Sequence, residues 1–361
     1  DFKQFRSAMQ NVEKSMVKTG KKMQSVGKSM STYMTAPLLA LGAASVKTFS
    51  DFEQEMLKVK AVSGATEQQF SKLTESAKRL GASTRFAASE VSTLQLNYSK
   101  LGFAPEEINK VTEATLDLAL ATGEDLAESA TVAASTLRGF GLDASEMGSV
   151  VDVMAKSFSS SALDLEKFKT SMGTLAPVAK NAGVSLEKAT SFLSILTDRG
   201  VDASTAGSGL RNMFLDLSAK GLTLEDALNK INSSSNKNAT ALELFGKRGA
   251  TVASIMAENS AEAKTLELSY INSAGAAKGM AEIMDSGLNG SMLRLKSATE
   301  SMAISFGEVM APAVSSLAGL LSGVAEVFGA LSSEVRTGIV VIVGIVAAIG
   351  PLLLLLGSLL T

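Results

Sequence analysis

"AGVSLEKATSFLSILTDRGVDASTAGSGL", residues 182–210, carries two helix stops and two helix starts in one short span. Gly183 and Gly200 each end a helix-like run, and each is followed by an apolar residue, a Ser or Asp, and a new helix-like run. A glycine just past a helix end adopts the left-handed conformation without steric cost, and the next small polar residue accepts from the free N–H groups of the following helix. Between the stops, Leu186, Phe192, Leu193 and Leu196 form one apolar stripe. The span reads as short helices stacked into antiparallel hairpins, each laying its stripe on a neighbour.

The same punctuation recurs in "LGFAPEEINKV", "TGEDLAESA", "FGLDASEMGSVV" and "KGLTLEDALNKI", which adds Gly102, Gly123, Gly141 and Gly221 as helix stops. Their spacing is roughly twenty residues with one double interval, too uneven for a known solenoid repeat. The expected structure for residues 47–260 is therefore an irregular multi-helix core of short hairpins. Composition agrees. In 361 residues the hydrophobic share is 46%, aromatics are 5%, Trp is absent and there are five prolines, which favours helices over strands. The expected class is all-α.

Outward from this core, the N-terminal segment has a clear period. Phe2, Phe5, Met9, Val12, Met16, Met23, Val26, Met30 and Tyr33 step by three and four residues, with one polar break at Thr19. This is the a/d seam of a coiled coil, and it makes residues 1–46 a heptad helix followed by an uncharged, small-residue connector. Lys3, Arg6, Lys14, Lys18, Lys21, Lys22 and Lys28 make the segment basic. Such a face is ordinarily solvated, and the sharper alternative is contact with DNA or an acidic channel wall.

Beyond the polar stretch "NSSSNKNAT", Leu266, Tyr270, Ser273, Ala277, Met280 and Met284 alternate in steps of four and three, predicting one long amphipathic helix over residues 261–312. Residues 313–361 form a hydrophobic helical segment. In its last part, from Gly338 through Val343, Ile345, Pro351 and Leu354 to Leu360, there is no charge. At about 1.5 Å per residue that run is long enough for a bilayer core of roughly 30 Å, although Pro351 would kink it and the missing basic flank leaves its orientation open. It is expected to be a conditional span, packed against sister helices in one state and open to lipid in another. Because the sequence opens on Asp and stops inside an apolar run, it is expected to be a fragment of a longer chain, truncated within this segment.

Composition also narrows the chemistry. There is no Cys and no His, so thiol nucleophiles, Ser-His-Asp triads and Cys/His zinc sites are excluded. A net charge of −2 gives no global attraction for nucleic acid. "SVGKSM" ends like a phosphate-binding loop, but Lys22 stands where the loop needs its first glycine and the heptad runs straight through. "AGSGLRN" has Asn212 in place of the third glycine of a dinucleotide fingerprint, so Gly207 and Gly209 read as sites of close helix packing. Glu106, Glu107, Glu124 and Asp125 sit where a first helical turn gains from negative charge. Arg85 falls in a probable turn and reads as a surface residue. No catalytic, cofactor-binding or metal-binding set of residues emerges, so no enzyme activity and no cofactor are expected.

Taken in order, "FSDFEQEMLKVKAVSGAT", "AKRLGASTRFAASEVSTLQLNYSKLGF", "LALATGEDLAES", "FGLDASEMGSVVDVMAK", "LAPVAKNAGVSLEKATSFLSIL", "AGSGLRNMFLDL", "FGEVMAPAVSSL" and "AAIGPLLLLLGSLL" resemble the core region of phage tail tape measure proteins, a family of minor tail proteins of long-tailed phages and prophages. In "AGSGLRN", Ser208-Gly209 replaces the family's usual Thr plus Ala. The resemblance implies a structural protein of the virion. Several copies would form a helical bundle in the lumen of the tail tube and set tail length. Tube subunits, distal tail proteins and assembly chaperones would be its partners, with the host membrane at infection and genome DNA only in passing. A membrane-active pore-forming effector is the alternative that the apolar ends keep open, and a carboxylate-based cell-wall lytic enzyme is the remote one.

Overall fold

The computed structural model describes residues 36–333 and 335–337, and every regular element among them is helical. The helices are α1 (Ala36–Ser63), α2 (Glu67–Ser83), α3 (Ala88–Lys100), α4 (Pro105–Thr122), α5 (Leu126–Phe140), a 3₁₀ turn (Ala144–Glu146), α6 (Met147–Ser160) and α7 (Leu165–Asn181). They continue as α8 (Leu186–Asp198), α9 (Ala203–Lys220), α10 (Leu224–Ser233), α11 (Lys237–Glu258), α12 (Ser260–Ile271), α13 (Ala276–Asp285) and α14 (Leu288–Ala330).

The expected stops fall where the sequence places them. Gly102, Gly123, Gly141, Gly183, Gly200 and Gly221 all have positive φ, between 64° and 80°. After five of them the next residue is apolar, and its N–H reaches back across the helix end: Phe103 to Tyr98 O, Leu142 to Leu137 O, Val184 to Ala179 O, Val201 to Leu196 O and Leu222 to Leu217 O. That is the Schellman closure, in which the apolar residue after the glycine also seals the last turn. The third residue of each connection opens the next helix. Asp125 Oδ1, Ser185 Oγ, Asp202 Oδ1 and Thr223 Oγ1 each accept from backbone N–H groups of the first turn. Gly64-Ala65-Thr66 is a further connection of the kind, with Thr66 and Gln69 forming a reciprocal capping box.

Glycine corners of this type alternate with glycine-free ones such as residues 84–87 and 161–164, and the result is two rows of helices. One row is α2, α4, α6 and α8; the other is α3, α5, α7, α9 and α11. Within each row a helix packs on the one two places along the chain, while α2 packs more closely on α3 than on α4. Glycines let the second row close tightly. A Cβ on Gly139 of α5 would lie 2.7 Å from Ala176 Cβ of α7, one on Gly207 of α9 would lie 2.6 Å from Ser171 O of α7, and one on Gly209 would lie 2.4 Å from Val252 Cγ2 of α11. Then α12 covers α8, and α13 covers α4 and α6. Helix α8 is thus surrounded, with every residue from Ala189 to Thr197 buried, and most of its hydroxyls donate to carbonyls one turn back, as Ser194 does to Thr190 O at 3.0 Å. Ser191, Ser194 and Thr197 each keep a carbonyl partner in this way, whereas Thr190 Oγ1 is buried without one.

The chain divides into two compact units. One is Thr48–Ile304, and the other combines residues up to Lys47 with those from Ser305 onward. The core thus extends past residue 260, because α12, α13 and the start of α14 supply part of its covering. The stretch 261–312, expected as one helix, is broken twice. Gly275, at φ 80°, separates α12 from α13, and Ser286-Gly287 separates α13 from α14. The period that suggested continuity marks a buried face shared by two helices: Tyr270, Ser273 and Ala277 are buried, while Met284 is exposed. The turn wins over continuity because Asp152 of α6 accepts from Gly275 N at 2.8 Å and Ala277 N at 2.9 Å, capping a new helix start.

Candidate assembly surface

Helix α14 is 43 residues long, which at 1.5 Å per residue gives about 65 Å. Its two faces differ. On one face of its first half, Ser297 and Ile304 are buried, at 2% and 1% exposure. Ser297 Oγ donates to Arg85 O at 2.6 Å, Glu300 accepts from Ser89 N at 3.1 Å, and Arg294 pairs with Asp285. The opposite face carries Leu288, Met292, Leu295, Met302, Phe306 and Val309, all exposed, with Leu288 at 81% and Val309 at 80%. Their steps are four, three, seven, four and three, and Leu317, Leu320 and Val327 continue the stripe. An apolar seam at heptad spacing left open to water is a surface built to be covered. The spacing is present in the sequence, where it overlaps the second period from Leu266 to Met284 that marks the buried face.

The seam predicted at Phe2, Phe5, Met9, Val12, Met16, Met23, Val26, Met30 and Tyr33 lies outside the described residues. So does the candidate membrane segment at Gly338, Val343, Ile345, Pro351, Leu354 and Leu360. Within the described residues, α14 is the one helix long and apolar enough to cross a membrane, and its apolar window has none of its residues buried.

The other residues singled out from sequence have structural tasks. Gly207 and Gly209 are the close-packing points of α9 described above. Glu107 Oε2 accepts from Ala104 N at 2.7 Å, and Asp125 Oδ1 accepts from Ala127 N and Glu128 N at 2.9 and 3.0 Å, so both open helices. Arg85 stands in the α2–α3 turn with its guanidinium over the Phe86 ring, and its carbonyl holds α14. Among the described residues no group of three or more carboxylates is placed to hold a metal ion.

One electrostatic feature escaped the sequence reading. Burial raises Asp117 of α4 to about 6, with Glu113, Asp152 and Glu282 pushing it up and Lys278 opposing them. It lies where α4, α6 and α13 meet, and nothing in the local sequence marks it, since the charges that matter come from three helices.

The chain is similar to the tape measure protein of Pneumococcus phage Dp-1, 30% identical over 95% of its own length and 32% of that protein's. It is similar to the probable tape measure protein of Escherichia phage P2, 28% identical over 50% of its own length and 22% of that protein's. The chain thus spans about a third or less of the length of either relative. No solved structure matches it. The model of the phage-related minor tail protein family matches residues 74–341, from within α2 through α14 and past it. Most of the chain is covered, and the chain therefore belongs to the phage-related minor tail protein family.

Proposed function

We propose that the chain is a segment of a phage tail tape measure protein that acts as a structural ruler. Copies would lie in the lumen of the tail tube, tube and distal tail proteins would assemble around them with the help of chaperones, and the length of the helical parts would set the length of the tail. The observation that carries this reading is α14, a helix of about 65 Å that exposes a heptad seam along its side. A helix converts residue count into distance, and an open seam permits copies to associate. The Phe2–Tyr33 seam offers a second such stripe.

The test is an insertion in the phage gene. Four added heptads in the part of α14 beyond Ser305 lengthen a continuous helix by about 42 Å. Tails seen by electron microscopy should grow by that amount. Tails of unchanged length would overturn the ruler.

A second reading is supported by the exposed apolar character of α14, which is long and apolar enough to cross a membrane. Once expelled from the tube at infection, the protein would bring its apolar helices to the host membrane and assist DNA passage. Leakage of dye from vesicles of bacterial lipid, lost when Val343→Glu and Leu354→Glu are introduced, would support it. Intact vesicles at every protein concentration would dispose of it.

A further inference from the structure

Helix α13 is held to the core by little apolar surface, and it sits over a group of like charges. We propose that α13 is a pH-sensitive latch, which lies against α4 and α6 while Asp117 carries a proton and lifts from them when Asp117 ionises. This is a property of the Thr48–Ile304 unit alone and stands apart from the ruler reading.

The geometry makes α13 the part of the unit best placed to move by itself. Of its ten residues only Ala277 and Ala281 are buried, while Ile283 and Met284 near its far end are both exposed. Burying two alanines contributes far less than burying Ile108, Val111, Leu116 and Leu118 of α4 or Phe192, Leu193, Ile195 and Leu196 of α8. Both ends can pivot. Gly275 stands at φ 80°, and a Cβ built on Gly275 or on Gly287 meets no atom within 4 Å. The fastening at the first turn is polar: Asp152 of α6 accepts from Gly275 N and Ala277 N. Beneath the helix, Leu120 and Ala121 of α4 are buried with Ala281, and Phe86 and Met280 pack beside them. A lifted α13 therefore uncovers an apolar patch on α4.

The charges decide when it lifts. Asp117 of α4 is half-buried in the seat of α13, and that burial is the main cause that raises its carboxyl to about 6. Three carboxylates push it further up against one lysine. Glu113 comes from α4 itself, where Arg79 of α2 pairs with it at 3.3 Å, Asp152 comes from α6, and Glu282 and the opposing Lys278 come from α13. Docking thus both covers Asp117 and brings Glu282 to it, so the docked form binds the Asp117 proton more tightly than the lifted form. Docking is at full strength below the ordinary carboxylate value of about 4, weakens as pH rises to about 6, and then levels off. Asp117 is partly open to water, which reduces the response. The lifted fraction should be about tenfold larger at about pH 7.5 than at about pH 4.5.

Hydrogen–deuterium exchange of the full chain tests this, with each rate divided by that of an unstructured chain at the same pH. From about pH 4.5 to 7.5, protection of residues 276–285 should fall about tenfold while α4, α6 and α8 keep theirs. Asp117→Asn, uncharged at every pH, should abolish the fall and leave α13 protected at the higher pH. Protection of α13 that does not change with pH would overturn the latch. So would a loss shared equally by α8, which would mean that the whole unit loosens, or a full fall retained in Asp117→Asn. Glu282→Gln, at an exposed position of α13, should shrink the fall by removing one of the carboxylates that oppose ionised Asp117. If circular dichroism shows that Asp117→Asn does not fold, Glu282→Gln decides alone, and an undiminished fall in that variant overturns the proposal.

Discussion

Replacing Gly207 by alanine sets two well-characterised effects against each other. Alanine is a better helix former by about 1 kcal/mol, so in an open position the change should stabilise. At Gly207 the added Cβ would lie 2.6 Å from Ser171 O and 2.7 Å from Ser171 Cα, both backbone atoms of α7. They cannot rotate away as a side-chain end would. Nor can α9 retreat freely, because Gly209 on the same helix is already against Val252 Cγ2 of α11 and Ser171 Oγ ties α7 to Ala203 O at 2.8 Å. Overpacking of this kind costs about 1–3 kcal/mol, so the net expected for Gly207→Ala is a loss of up to about 2 kcal/mol. For a unit of this size that is a fall in Tm of up to about 8 °C. Gly173, on exposed α7 surface with no atom within 4 Å of its virtual Cβ, is the control. Gly173→Ala should stabilise by about 0.5–1 kcal/mol. Urea denaturation followed by circular dichroism measures both. If Gly207→Ala stabilises the protein as much as Gly173→Ala does, the close crossing of α7 and α9 is wrong and the two-row packing loses its best support.

Three further outcomes follow from the same packing. Asp117 is held near 6, above its ordinary carboxylate value, so the folded protein binds more protons than the unfolded chain between about pH 4 and 6 and stability falls as pH rises through that window; with partial screening the loss is about 1 kcal/mol. Asp117→Asn should flatten the dependence between pH 4 and 8 and raise Tm above pH 6, and an unchanged slope would clear Asp117 of responsibility. Asp152→Ala removes both acceptors at the start of α13 and should cost about 1 kcal/mol, with hydrogen exchange of residues 275–285 accelerating before that of α8. Tyr270→Phe removes a buried hydroxyl that lies 2.7 Å from Ser194 Oγ and 3.4 Å from Ser160 Oγ, and should lower stability by about 0.5–1.5 kcal/mol in urea titrations while leaving helix content the same.

The sequence made the corners legible and left the layers obscure, for a physical reason. A corner such as Gly200-Val201-Asp202 is decided within a few residues: the left-handed φ, the back-reaching N–H and the cap are all local, so composition alone reveals them. Which rows the helices form depends on contacts between residues far apart. Gly207 against Ser171, or Ser297 against Arg85 O, has no local signature. The break at Gly275 shows the same limit from the other side. The heptad-like spacing from Leu266 to Met284 is real as a buried pattern, yet an acceptor on α6, over a hundred residues away, decides that the chain turns there.

The candidate surface brings both limits together. On α14 the exposed spacing of Leu288, Met292, Leu295, Met302, Phe306 and Val309 is a local pattern and could have been read, whereas its exposure could not. A heptad seam in sequence does not say whether the fold has already used it. What distinguishes α14 is that the helix serves two surfaces at once: Ser297, Glu300 and Ile304 satisfy the core on one side, so the stripe on the other is surplus to the fold of the described residues. Surplus apolar surface rimmed by few charges is unfavourable in water and invites a partner.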